Sequence, residues 1–101
     1  RWQAIEQCRR IEELAPDYGD ITFNLGQLYL TERQPSEALT YLQRAVEINP
    51  YSAAKRFALG AALAELGQPN GAREQLRAAL RLSPAHRDAA ALLAELDRAT
   101  R

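Results

Sequence analysis

The sequence predicts an all-α fold of stacked helix pairs, and three observations carry that reading. Residues recur at a fixed spacing of 34 positions: Leu25 and Leu59, Gly26 and Gly60, Pro35 and Pro69, Ala38 and Ala72, Leu42 and Leu76, Ala45 and Ala79, Pro50 and Pro84. A fixed period in this range marks supersecondary units that bury their faces against one another rather than in one closed core. Apolar residues fall three and four apart, and no stretch alternates with period two, so no strand is placed. Prolines and glycines punctuate the pattern at the same points of each period, which sets helix ends.

Taken in order, the first helix is expected over residues 2–14, with Trp2, Ile5, Cys8, Ile11 and Leu14 on one stripe. Pro16 stops it, because the residue before a proline avoids the helical region. Asp17-Tyr18-Gly19-Asp20 is a turn, with Asp20 as N-cap for a helix over 21–32 that carries Leu25, Leu28 and Tyr29. Arg33-Gln34 breaks that helix, and Pro35 sits where the next begins and its missing N–H costs nothing. Residues 36–48 then place Ala38, Leu39, Leu42, Ala45, Val46 and Ile48 on a wide apolar face, and Asn49-Pro50 ends the run. Ser52 caps a helix over 53–66 with Phe57, Leu59, Leu63 and Leu66, closed by Gly67, whose lack of a Cβ suits a positive φ. Pro69 opens the next, to about Leu82, and Ser83-Pro84 stops it. A sixth helix over 87–99 puts Ala90, Leu93, Ala94 and Leu96 on one side.

Composition narrows the function. With 101 residues there is room for one ordinary domain or about three helix pairs. Thirteen basic and thirteen acidic side chains cancel, so no net field recruits nucleic acid or an anionic membrane. The charge is uneven all the same: residues 1–50 hold five arginines against eight acids, residues 51–101 eight bases against five acids. A single cysteine, Cys8, forms no internal disulfide and offers no metal cluster. No apolar run approaches the roughly 20 residues of a spanning helix, so no direct membrane insertion is expected of this segment. Arginine nearly replaces lysine (Lys55 is the single exception) and alanine is abundant, a GC-rich bacterial bias. The start at Arg1-Trp2, inside a helical pattern, is what a segment of a longer chain would show. Targeting signals then lie outside this sequence; a cytoplasmic setting is slightly favoured, with a periplasmic or membrane-tethered parent left open.

The recurring residues resemble the tetratricopeptide repeat family, whose 34-residue helix–turn–helix places Leu, Gly and Tyr in the first helix, Ala, a large residue and Ala in the second, and Pro at the end. Two full copies match, 19–52 and 53–86; residues 1–18 look like the second helix of a preceding repeat and 87–101 like the first helix of a following one. The resemblance implies a right-handed α–α superhelix. Thr22 and Arg56 depart from it where the family often has Trp, and Leu63 replaces the aromatic seen at Tyr29.

Catalysis needs convergent polar groups, and the sequence supplies none. His86 is the lone histidine, in a turn, and reads as a surface or capping residue. Glu95 and Asp97 are two apart on a helix and diverge. The glycines lack the Gly-Lys-Ser/Thr of a phosphate loop, and Arg73, Arg77 and Arg81 read as a solvated helix face. No catalytic residue, cofactor or metal is expected. What remains, by the resemblance, is the concave surface formed by the first helices. Its positions fall here on Phe23, Asn24, Gln27 and Leu30, then Phe57, Ala58 and Ala61, then Asp88, Ala91 and Glu95. Phe23 and Phe57 recur in register without belonging to the packing signature, so they either fill space between repeats or anchor a ligand. Because Ala54 and Ala58 stand where a carboxylate clamp would need Lys and Arg, the groove should prefer apolar or helical segments to acidic tails.

The expected function is therefore a non-enzymatic protein–protein interaction scaffold that binds a protein or peptide partner in this groove. The alternative is a spacer or self-associating segment that buries apolar terminal helices, through Trp2 and Ile5 at one end and Leu93 and Leu96 at the other, against another copy or the rest of the parent protein. A homo-oligomer is compatible with either, as is attachment to an enzyme domain elsewhere in the parent chain.

Overall fold

Prolines, a serine and two left-handed residues divide residues 19–99, the part of the chain that the computed structural model describes. Five helices follow one another: α1 (Gly19–Thr31), α2 (Pro35–Ile48), α3 (Ala53–Glu65), α4 (Pro69–Leu82) and α5 (Arg87–Ala99). The expected helix over 2–14, with Trp2, Ile5 and Cys8, lies outside the described residues. The boundaries otherwise fall within two residues of those read from the sequence. Asp20 is the exception, since the helix already includes it and it occupies the first turn instead of the cap.

The helix ends follow from local chemistry. Pro35 and Pro69 open α2 and α4. The Ser52 hydroxyl accepts a hydrogen bond from the Lys55 N–H at 3.3 Å, which satisfies one of the free donors at the start of α3. The C-termini of α1 and α3 close alike. Arg33 N–H donates to Leu30 O and Gln34 N–H to Tyr29 O, and 34 positions later Gly67 N–H donates to Ala64 O and Gln68 N–H to Leu63 O. This closure puts one residue in the left-handed region: Arg33 at φ 60° and Gly67 at φ 75°. Glycine adopts that conformation freely, whereas a residue with a Cβ is strained there by about 1 kcal/mol or more. Arg33→Gly is therefore expected to stabilise the chain by up to about 1 kcal/mol, and Gly67→Ala to cost a similar amount. Thermal melts that move the same way for both would contradict this account.

The helices pack as α1 on α2 and α3 on α4 within repeats, α2 on α3 and α4 on α5 between them, and first helix on first helix as α1 on α3 and α3 on α5. The resulting α–α superhelix is elongated, 44 × 25 × 18 Å. Its core is the recurring set: Leu25, Ala38, Leu42, Ala45, Ala72, Leu76 and Ala79 are all fully buried. Leu42 and Leu76 press against the glycines of the facing helix. A Cβ on residue 26 would lie 2.7 Å from Leu42 Cδ2, and one on residue 60 would lie 3.1 Å from Leu76 Cδ2. Small residues at these crossings let the axes approach.

Where the repeats depart from the family pattern, they compensate differently. Thr22 is fully buried, and Tyr29 stacks on Tyr41 with centroids 5.6 Å apart. In the second repeat the Arg56 guanidinium takes up the space, donating through Nε to Pro50 O at 3.1 Å and through Nη1 to Gln75 Oε1 at 3.0 Å. Among the described residues no buried side-chain nitrogen or oxygen lacks a hydrogen-bond partner. None of the described helices is long and apolar enough to cross a membrane.

The last helix packs on a face one step from the expected one. Ala89 is its fully buried residue, with Leu92, Leu93 and Leu96 partly buried beside Leu76 and Ala79. Ala90 and Ala94 are exposed instead. The spacing 89, 92, 93, 96 is itself an i, i+3, i+4, i+7 stripe, and it keeps Leu92 in the contact.

Candidate functional site

The first helices share one side of the stack, and a cavity of about 320 Å³ opens between α1 and α3. Gln27, Leu30 and Thr31 line it from α1, and Phe57, Ala58 and Ala61 from α3. The alanines leave the room, while Leu30 and Phe57 supply the apolar bulk. A second hollow of about 500 Å³ shares Leu30 and Thr31 as a wall and runs over the helix ends to Arg33, Pro35 and Glu65. The smaller cavity has no charged lining residue; Gln27 and Thr31 are its polar members. The Thr31 hydroxyl donates to the Gln27 carbonyl at 2.9 Å, a bond within its own helix. The lining thus offers apolar contact with a polar rim, which suits an apolar side chain of a partner and gives a carboxylate no cation.

Of the residues expected to form the groove, Gln27, Leu30, Phe57, Ala58 and Ala61 come together here. Ala58 belongs equally to the core, at 4% exposure. Phe23 and Asn24 do not line the cavity. Asn24 is exposed, and the Phe23 ring lies half-buried against the core with the Lys55 ammonium 5.2 Å from its centroid, within the range of a cation–π contact. Lys55 is itself buried. Asp88, Ala91 and Glu95 are exposed on α5, away from the α1–α3 cavity. Thr31 was not anticipated, because it lies one residue beyond the expected contact positions and its place at the helix end, not its type, brings it to the wall.

The two phenylalanines therefore differ, although the sequence presents them as equivalent. Phe57 is backed by His86, whose ring centroid is 5.1 Å away at a tilt of 38°. His86 Nδ1 also accepts the Ala89 N–H at 3.1 Å and so caps α5. One side chain thus supports both a groove wall and the start of the last helix. The far end of that helix is held by Arg73, which donates to Asp97 Oδ1 at 3.1 Å and to the Leu96 carbonyl at 3.2 Å. Arg73 is accordingly no part of a solvated arginine stripe, whereas Arg77 and Arg81 are exposed. Leu93 and Leu96, expected as self-association residues, are partly covered within the chain; Trp2 and Ile5 lie outside the described residues. Among the described residues no group of three His, Cys, Asp or Glu is placed to hold a metal ion.

Comparison with known proteins adds the following. A tetratricopeptide repeat family model matches residues 25–97. A UDP-N-acetylglucosamine--peptide N-acetylglucosaminyltransferase of Giardia intestinalis is 31% identical over 86 residues, which are 85% of this chain and 6% of that protein. The structure of MamA from Desulfovibrio magneticus RS-1 superposes with a TM-score of 0.94 at 21% identity, over 98% of this chain and 56% of that one. The first repeat domain of Spaghetti (RPAP3), solved with an HSP90 peptide bound, gives 0.91 at 20% identity, over 95% of this chain and 76% of that one. At such identities the two structures speak for the fold.

Proposed function

Because the chain belongs to the tetratricopeptide repeat family, whose pattern covers residues 25–97, we propose that it is a non-enzymatic interaction module that holds a peptide or helical segment of a partner protein between α1 and α3. The observation that carries this reading is the cavity lined by Phe57 and Leu30, the small Ala58 and Ala61, and the polar Gln27 and Thr31. A rigid aromatic wall beside small residues is the arrangement in which a single inserted side chain gains most, since hot spots are desolvated anchors ringed by near-neutral contacts. Repeat scaffolds offer such extended concave surfaces, and the related RPAP3 domain holds a peptide. The lining here differs in kind from a carboxylate clamp, so an amphipathic helix is the favoured ligand.

The test is titration of the isotope-labelled chain with an amphipathic helical peptide, and in parallel with a peptide ending in acidic residues. Chemical-shift changes are expected at Gln27, Leu30, Thr31 and Ala61 with the first peptide. Phe57→Ala should weaken its binding by about 30-fold, the loss of one hot-spot side chain. Phe57 also packs on His86, so Ala61→Glu, which places a charge in the cavity at a partly exposed position, provides an independent variant. Equal affinity for the two peptides, or shifts confined to α2 and α4, would overturn the reading.

A further inference from the structure

The large apolar side chains left exposed among the described residues are Ile48, Tyr51 and Leu82, at 39%, 80% and 40%. Their placement follows the repeat. Ile48 ends α2 and Leu82 ends α4, at the same position of consecutive repeats, and Tyr51 lies in the turn after α2. Tyr51 and Leu82 border a shared hollow of about 200 Å³ with Pro50, Arg56, Ala78 and Arg81. This surface has no residue in common with the α1–α3 cavity.

Its charge is ordered as well. Glu47 precedes Ile48 and Arg81 precedes Leu82, so an acid and a base occupy one register position of successive repeats. Both are exposed, and neither makes an ion pair with a described residue. Arg56 is held in the wall by Pro50 O and Gln75 Oε1, and the hollow contains no carboxylate. The first repeat thus presents acid beside apolar surface, and the second presents base beside apolar surface.

We propose that this edge is a self-complementary face on which a second copy of the chain docks about a two-fold axis near Tyr51, each copy's Glu47 meeting the other's Arg81. In an isologous contact a patch meets itself reversed. The acid of one repeat then faces the base of the next, and the pairing occurs twice. Ile48 meets Leu82 twice in the same way, and the two Tyr51 rings lie at the centre, where interfaces concentrate aromatic residues. Head-to-tail stacking would use each pairing once and leave a free acidic edge and a free basic edge. An unrelated acidic partner would be attracted by Arg56 and Arg81 but repelled by Glu47, whereas a second copy satisfies both signs. The contact leaves the groove open, so a dimer would present two grooves.

Sedimentation of the chain over a range of concentrations is the experiment. The mass is expected to rise from 11.3 kDa to twice that value, and Tyr51→Ala should abolish the rise. Glu47→Arg and Arg81→Glu should each weaken dimerisation at least about tenfold, because like charges then face each other, and the double exchange E47R/R81E should restore it. Phe57→Ala should leave the dimer unchanged, which separates failure here from failure of the groove. A monomer at every concentration overturns the proposal, as does a dimer that survives both single reversals or is not restored by the exchange.

Discussion

Replacing Leu42 by alanine is expected to destabilise the fold by about 2–5 kcal/mol, the range for emptying a fully buried leucine site. Leu42 is 0% exposed and belongs to a cluster that runs from α1 through α2 to α3, so it serves the packing within one repeat and between two. A domain of this size holds only about 5–15 kcal/mol in total, so the loss takes a substantial part of the stability. Ala38 and Ala58, buried in the same cluster, are too small to fill the space left behind. A urea titration reads the result as a lower midpoint. A loss below about 0.5 kcal/mol, the level of an ordinary surface substitution, would show that the contact does not hold the repeats together.

The second large effect is at the residue Leu42 touches. Gly26→Ala is expected to destabilise despite a helix-propensity gain of about 1 kcal/mol, because the new Cβ would come within 2.7 and 2.8 Å of Leu42 Cδ2 and Cγ. Overpacking of this kind costs about 1–3 kcal/mol, and Gly26→Leu should lie at or beyond the top of that range. Gly60→Ala should be milder, since its nearest neighbours, Leu76 Cδ2 and Cγ, would be 3.1 Å away. The two sites in the first repeat are coupled. In a Leu42→Ala background the clashing atoms are absent, so Gly26→Ala should change sign and stabilise. The same destabilisation in both backgrounds would show that the crossing is not limited by this contact.

Much of this was legible in the residues. The period placed Leu25, Gly26, Ala38 and Leu42 in the core, and Pro35, Ser52, Gly67 and Pro69 marked helix ends because each has one strong local preference. Arg33 shows where that kind of signal stops. Arginine has no propensity for φ 60°, and only its register, 34 positions before Gly67, points to the left-handed turn. The groove was half legible for a related reason. Phe23 and Phe57 are equivalent within their own repeats, but the surroundings of each ring are set by the residues that follow in the next. Lys55 reaches over Phe23, whereas the residue 34 positions after Lys55 is Ala89, and His86 backs Phe57 instead. Five of the ten expected groove residues share the cavity because α1 and α3 meet there. Asp88, Ala91 and Glu95 sit on a later helix and do not.

Ala58 is the groove residue that lies deepest in the core. It is buried in the core and is also part of the groove floor. Gln27, Thr31 and Ala61 could drift over evolutionary time, and partner choice with them, at little expense to folding. A larger residue at Ala58 would have to satisfy the stack and the ligand at once. The repertoire of partners open to a lineage of such chains is thus bounded at Ala58, and in part at Leu30 and Phe57, by the requirement to fold, and at Gln27, Thr31 and Ala61 by recognition.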